Sequence, residues 1–237
     1  MTRTGWRRIA GFRVVVSWPE NGSVPAPRRN AAKTLRTRVA GFVGLVLLAG
    51  GASAIIAGIS AQRHAPGPAG AASGRIGRLS GLSLARSVPV SVRIPAIDVD
   101  AQLLHLGLNR DGTMQVPALP AYAADAAWYE YSVTPGQVGA SVIEGHVDSY
   151  SGPAVFYRLG ALHPGDRVDV RLADGVTAIF RVTGVRQYRK TEFPAKAIYA
   201  ANGYSALRLI TCGGTFDRAT GHYLGSTVVF ASLVSAR

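Results

Sequence analysis

The first group in this 237-residue chain able to do covalent chemistry is Cys212, its sole cysteine, at the end of the apolar run in "LRLITCGGTFDRATGHY" and followed at once by two glycines. With no second cysteine to pair with, such a thiol is either a small buried hydrophobe or a reactive nucleophile. A nucleophilic cysteine needs a neighbour that sets its ionisation and later hands a proton to the leaving group, and histidine has the pKa for both tasks. His64 falls in a Gly/Ala/Pro-rich stretch, His163 beside Pro164-Gly165 reads as a turn residue, and His105 lies in a strand-like run that suits a structural role. His222 is close to Cys212 in sequence but belongs to the connecting loop. His146 differs, because in "ASVIEGHVDSYSGPAVF" it follows the apolar Val142-Ile143 and Gly145 and so emerges where a strand ends, as Cys212 is expected to.

Strands must therefore position the pair, and the pattern over residues 89–237 is mostly strands. In "SVRIPAIDVDAQLLHLGL" apolar residues alternate around Val92, Ile94, Ile97 and Val99, with a proline that suits an edge or a strand start. In "DRVDVRLADGVTAIFRVTGVRQY", Val168, Val170 and Leu172 face one way, and Arg167, Asp169 and Arg171 the other. Asp174-Gly175 then supplies the turn of a hairpin with one buried face. "SALRLITC" and "STVVFASLV" are two further apolar runs, joined by "GGTFDRATGHYLG", and the one convincing helical piece is short, near "GPAVFYRLGAL". Short strands, turn signals and little helix predict a mainly β domain, a closed or nearly closed barrel with short helices.

The formal charge of +13 would suggest a nucleic-acid partner if it covered a folded domain. It does not. Residues 1–39 hold nine Lys/Arg against Glu20 alone, residues 62–88 hold four arginines and no acid, and residues 89–237 are nearly balanced, with thirteen basic against twelve acidic side chains. Between the basic flanks, "AGFVGLVLLAGGASAIIAGISA" (40–61) has no charged residue. As a helix it would span ~33 Å, enough for a bilayer core. This predicts a single transmembrane signal anchor, with a basic, mostly disordered tail (1–39) in the cytoplasm and the rest of the chain outside. A cleavable signal peptide is the competing reading, since Ala52-Ser53-Ala54 and Ile59-Ser60-Ala61 resemble small-residue cleavage sites; the long basic region before the apolar core favours the anchor. Residues 62–88, rich in Gly, Ala, Ser and Pro, read as a flexible linker. A lone thiol in an extracellular domain, where it is open to oxidation and mispairing, favours the reactive reading of Cys212.

At these residues the chain resembles the sortases, most closely the class F branch of actinobacteria. The likeness runs through "VRIPAIDVDA", "LNRDGTMQVP", "TPGQVGASVIEGHVDSYSGPAVFYRLGALHPGD", "LRLITCGGTFD" and "STVVFA", with the His and Cys elements 66 residues apart. It implies the sortase β-barrel, with His146 and Cys212 matching the catalytic pair. It also implies a membrane-held transpeptidase that cuts a C-terminal LPXTG-like sorting signal of a secreted protein, holds it as a thioacyl-enzyme, and passes it to an amine such as a cell-wall precursor. No metal or organic cofactor is implied. Sortases also use an arginine on or just before the strand that follows the cysteine. Here "STVVFASLV" contains none, relatives often read "GHYRDN" where this chain has Leu224, and Arg218 is the candidate that remains, with the backbone N–H groups of Gly213 and Gly214 as alternative oxyanion donors. A hydrolytic cysteine peptidase and a barrel kept only as a surface binding module are the rival functions.

Overall fold

A computed structural model describes residues 65–68, 81–200 and 202–237. The tail expected over 1–39, the apolar run 40–61 and His64 lie outside the described residues, among which no helix is long and apolar enough to cross a membrane.

The expected barrel is present and closed. Its eight strands are β1 (Pro89–Ile94), β2 (Val99–Leu106), β3 (Ala126–Tyr129), β4 (Gly139–Glu144), β7 (Arg167–Leu172), β8 (Thr177–Arg189), β9 (Ser205–Asp217) and β10 (His222–Ala236), in the order β1-β2-β3-β4-β9-β10-β8-β7. A separate two-stranded ribbon joins β5 (Asp148–Ser149) to β6 (Gly152–Pro153). Pairing is antiparallel except between β2 and β3 and between β4 and β9. Pro95 divides the first apolar run, opening a single 3-10 turn, Pro95–Ile97, after which β2 folds back on β1 with Ile94 opposite Val99.

The alternation read in the hairpin holds. Val168, Val170 and Leu172 are sealed inside the barrel with Phe180, while Arg171 faces out. Burial of each such side chain contributes roughly 1.5–3 kcal/mol. Strands β4, β9 and β10 are covered on both faces: Ile143, Leu209 and Val229 point into the barrel, whereas Val142, Ile210 and Val228 pack outside against Ile198. Ile198 belongs to α1 (Ala195–Tyr199), a short helix lying over this outer face. Double coverage explains why these strands read as continuous apolar runs rather than as alternating ones.

Two expectations are corrected. The helical piece near "GPAVFYRLGAL" is a string of tight turns ending in a 3-10 turn, Leu159–Ala161. Its backbone bonds join residues three apart, Leu159 N–H to the Phe156 carbonyl and Leu162 N–H to that of Leu159. Phe156, Leu159 and Leu162 are thereby all sent into the core, a three-residue period that suits 3-10 rather than α geometry. The loop expected after Cys212 is mostly strand, since β9 continues to Asp217 and β10 already begins at His222. Cys212 therefore sits within a strand, and His222 opens the next one. In addition, the end of the expected linker packs on the barrel: Leu82, Leu84 and Val88 contact its core, and Leu84 N–H donates to the Gly136 carbonyl at 2.8 Å.

Candidate active site

His146 is placed by the end of β4. Gly145 N–H donates to the Ile210 carbonyl of β9 at 3.1 Å, and Phe156 N–H donates to the His146 carbonyl at 2.9 Å, so the chain turns back over the barrel rim. Only glycine fits at 145, because a Cβ there would lie 2.6 Å from Val155 Cγ1 and 2.9 Å from Phe156 Cδ2. The imidazole Nε2 is 2.7 Å from the Pro117 carbonyl. A carbonyl only accepts, so Nε2 carries the proton and Nδ1 is the basic nitrogen of the neutral ring. Burial pushes the imidazole pKa below its ordinary value, opposed by the bond to Pro117 and by the charge of Asp148.

Cys212 is placed by the β9–β10 pairing. It lies opposite Ser226, and Gly213 lies opposite Gly225, but Phe216 pairs with Tyr223. Gly214 and Thr215 thus oppose Leu224 alone, a bulge that Gly214 makes possible at φ +79°. The double glycine after the thiol is explained by this bulge and by crowding: a Cβ on Gly213 would meet Thr227 Oγ1 at 2.5 Å. Beyond the bulge, the Phe216 and Tyr223 rings meet edge to face at 5.1 Å.

The two predicted residues line one cavity of about 420 Å³. Its walls are the strap Val116 to Leu119, the stretch His146 to Tyr150, the tip of the β9–β10 hairpin with Phe216 and Tyr223, and one cation, Lys190. Lys190 begins the 3-10 turn Lys190–Glu192 directly after β8, and its side chain hydrogen-bonds the Cys212 thiol. Burial pushes that thiol up to about 11, with the nearby charge of Lys190 working in the opposite direction. At neutral pH the resting pair is therefore a thiol and a neutral imidazole. Tyr223 Oη donates to Asp148 Oδ2 at 2.5 Å, which restrains a carboxyl pKa that burial raises.

Arg218 is in the exposed turn between β9 and β10 and is not among the residues lining the cavity. His105 is exposed on β2, with its Nε2 2.8 Å from the Pro89 carbonyl, and His163 N–H caps a turn through Asp166; both have the structural places expected of them. His222 lines the cavity as the first residue of β10. Sequence reasoning missed Lys190, which follows Arg186 and Arg189 in "RQYRK" with nothing in the pattern to separate it from its solvated neighbours. It also missed Glu144, 2% exposed, whose Oε1 has no hydrogen-bond partner among the described residues and whose pKa burial raises well above the usual range.

A family model described as Sortase domain matches residues 92–234. No curated protein matches the sequence. Among solved structures, sortase C1 from Streptococcus agalactiae is 20% identical, with 62% of this chain and 67% of that one covered at a TM-score of 0.48. A lid mutant of sortase A from Corynebacterium diphtheriae is 19% identical, with 64% and 73% covered at 0.48. Sortase A of Listeria monocytogenes is 16% identical, with 65% and 90% covered at 0.47.

Proposed function

Because the chain belongs to the sortase family, we propose that it is a cysteine transpeptidase of the class F kind, held at the membrane by residues 40–61 with its barrel outside the cell. Its substrate is then a secreted protein bearing an LPXTG-like C-terminal sorting signal, cut between Thr and Gly. The acceptor is an amine such as the peptide cross-bridge of a cell-wall precursor. The observation that carries the reading is the meeting of Cys212 and His146, far apart in sequence, in one cavity at the barrel rim.

Each step uses a group already described. The reacting pair is thiolate and imidazolium, reached by moving the thiol proton onto Nδ1 of a ring whose Nε2–H is held by Pro117. The sulfur adds to the threonine carbonyl, and the C–N bond breaks as His146 gives its proton to the departing amine. A thioester to Cys212 remains. The acceptor amine adds to it, its proton returns to His146, and the thiolate leaves as the new amide forms.

The test is to incubate the full chain with a panel of sorting-signal peptides, with and without added amines. A cleaved acyl fragment joined to the amine is the expected product, with Cys212→Ala abolishing it while the protein stays folded. Acid product alone, unchanged by amine, would make the protein a hydrolytic peptidase. Binding without cleavage would make it a surface module.

A further inference from the structure

The reaction creates negative charge twice in the same place, first on the Cys212 sulfur and then on a carbonyl oxygen bonded to the carbon that the sulfur attacks. Burial opposes the first of these charges, and the arginine sought on the strand after the cysteine is missing from the cavity wall. The β-sheet register brings a cation in from another direction. Tyr188 on β8, Ser226 on β10 and Cys212 on β9 form one row across three strands. Neighbours in a row share a face, as do alternate residues along a strand. Arg189, the last residue of β8, is still extended, so Lys190, two residues after Tyr188 and the first of the 3-10 turn, leaves the strand on the face that carries the thiol, and it lines the same cavity.

We propose that Lys190 is a catalytic residue of this transpeptidase, its ammonium stabilising the Cys212 thiolate and then the oxyanion formed when that thiolate adds to the scissile carbonyl. This inference rests on the transpeptidase reading above. As the S–C bond forms, the carbonyl π pair moves onto oxygen. As the C–N bond breaks, that pair returns to form the thioester, and the amine leaves with the proton of His146. Lys190 keeps all its protons throughout. Its three donors on a flexible stem can follow the charge from sulfur to oxygen, which a planar guanidinium fixed to a carboxylate-like geometry does less readily.

The other titratable groups on the elements around the thiol do not supply this charge. From the β4 end and β5 come Glu144, His146 and Asp148; from β10 come His222 and Tyr223. The Asp148 carboxylate opposes a thiolate, burial favours the uncharged form of Glu144, and His146 is occupied with proton transfer. Lys190 is the sole lysine or arginine among the lining residues.

The chain has one cysteine, so the alkylation of the full chain by iodoacetamide reports on Cys212 alone. Its rate against pH needs no peptide and is measured beside kcat/KM for one sorting peptide. Lys190→Met should alkylate about tenfold more slowly at neutral pH, the effect of a thiol pKa moved up by about one unit. Its kcat should fall about a hundredfold with KM little changed, as for loss of an oxyanion donor. Lys190→Arg should keep the alkylation rate within about threefold. Arg189→Gln, one residue earlier and pointing to the opposite face, should leave both readouts unchanged. Lys190→Gln repeats the measurement should methionine disturb folding, which a melting curve would show. Superimposable alkylation profiles and kcat for wild type and the neutral variants would overturn the proposal, as would an equal loss in Arg189→Gln. If the wild-type enzyme turns over no peptide, the transpeptidase reading fails by itself, and the alkylation profiles still decide whether Lys190 supports the thiolate.

Discussion

Gly225→Ala should damage the site without touching any residue in it. Gly225 lies on β10 between β8 and β9, opposite Arg189 on one side and Gly213 on the other. A Cβ at 225 would lie 2.8 Å from the Tyr188 carbonyl oxygen and 3.0 Å from that of Gly213, both backbone atoms with no side-chain freedom to yield. Relief requires the flanking strands to part by about half an ångström, an overpacking cost of roughly 1–3 kcal/mol. The entropic benefit of replacing a strand glycine offsets about 0.5–1 kcal/mol of this. A net loss near 1–2 kcal/mol corresponds to a melting temperature lowered by about 3–8 °C for a domain of this size. The strands that move are those carrying Lys190, two residues from Tyr188, and Cys212, next to Gly213. A misplacement of about half an ångström at the reacting groups should cost around tenfold in kcat/KM. Thermal melts and peptide turnover are measured together, with Gly184→Ala as the comparison, because a Cβ at 184 on the neighbouring strand β8 meets nothing within 4 Å. Gly184→Ala should be neutral or slightly stabilising. If Gly225→Ala melts and turns over like wild type, the crowding argument for the glycines around the thiol is wrong.

The pH dependence of kcat/KM should be broad. The productive form pairs a thiolate with an imidazolium, and its population falls below the His146 pKa, which burial lowers from 6.5, and above the Cys212 pKa, raised to about 11. Between the two, gain of thiolate cancels loss of imidazolium, so stopped-time assays from pH 5 to 11 should show a plateau; a sharp maximum near pH 8 would refute this ordering of the pair. Glu144 provides a stability test. Burial raises its folded-state pKa, so the folded protein binds a proton that the unfolded chain releases above pH 4.5, and stability from this group is complete below that pH and lost as pH rises toward the folded value. Glu144→Gln removes that dependence, so its unfolding free energy relative to wild type, read from denaturant melts, should climb as pH rises above 4.5, by at most about 1.4 kcal/mol per pH unit; a difference that stays constant with pH would show that burial does not raise this carboxyl's pKa.

The strands most legible in the sequence are those buried on one face. In β1 and in the β7–β8 hairpin, an apolar residue at every second position can satisfy only one geometry, so pattern and structure agree. The β9–β10 extension was hidden because Gly213, Gly214, Thr215, Asp217 and Gly221 carry turn chemistry. Their strand pairing comes from across the sheet, through a bulge and the Phe216–Tyr223 contact. The α1 helix, only five residues long, was likewise invisible: it exists because Ile198 fills the outer face of β4, β9 and β10.

For the site the division is similar. The sequence by itself singled out Cys212 and His146 as the candidate nucleophile and its proton-transfer partner, because a single cysteine and a histidine after Gly145, each at the close of an apolar run, are local features that need no partner to be seen. It also determined a mainly β domain and confined the excess positive charge to the flanks. Only the tertiary structure decided which cation stands beside the thiol. Arg218, six residues from Cys212 in sequence, is turned into solvent by the hairpin tip. Lys190, twenty-two residues away, is carried to the thiol by the register of β8 on β10 and β10 on β9. Side-chain charge acts over a few ångströms of space, and in a closed barrel that distance is set by strand register rather than by separation along the chain.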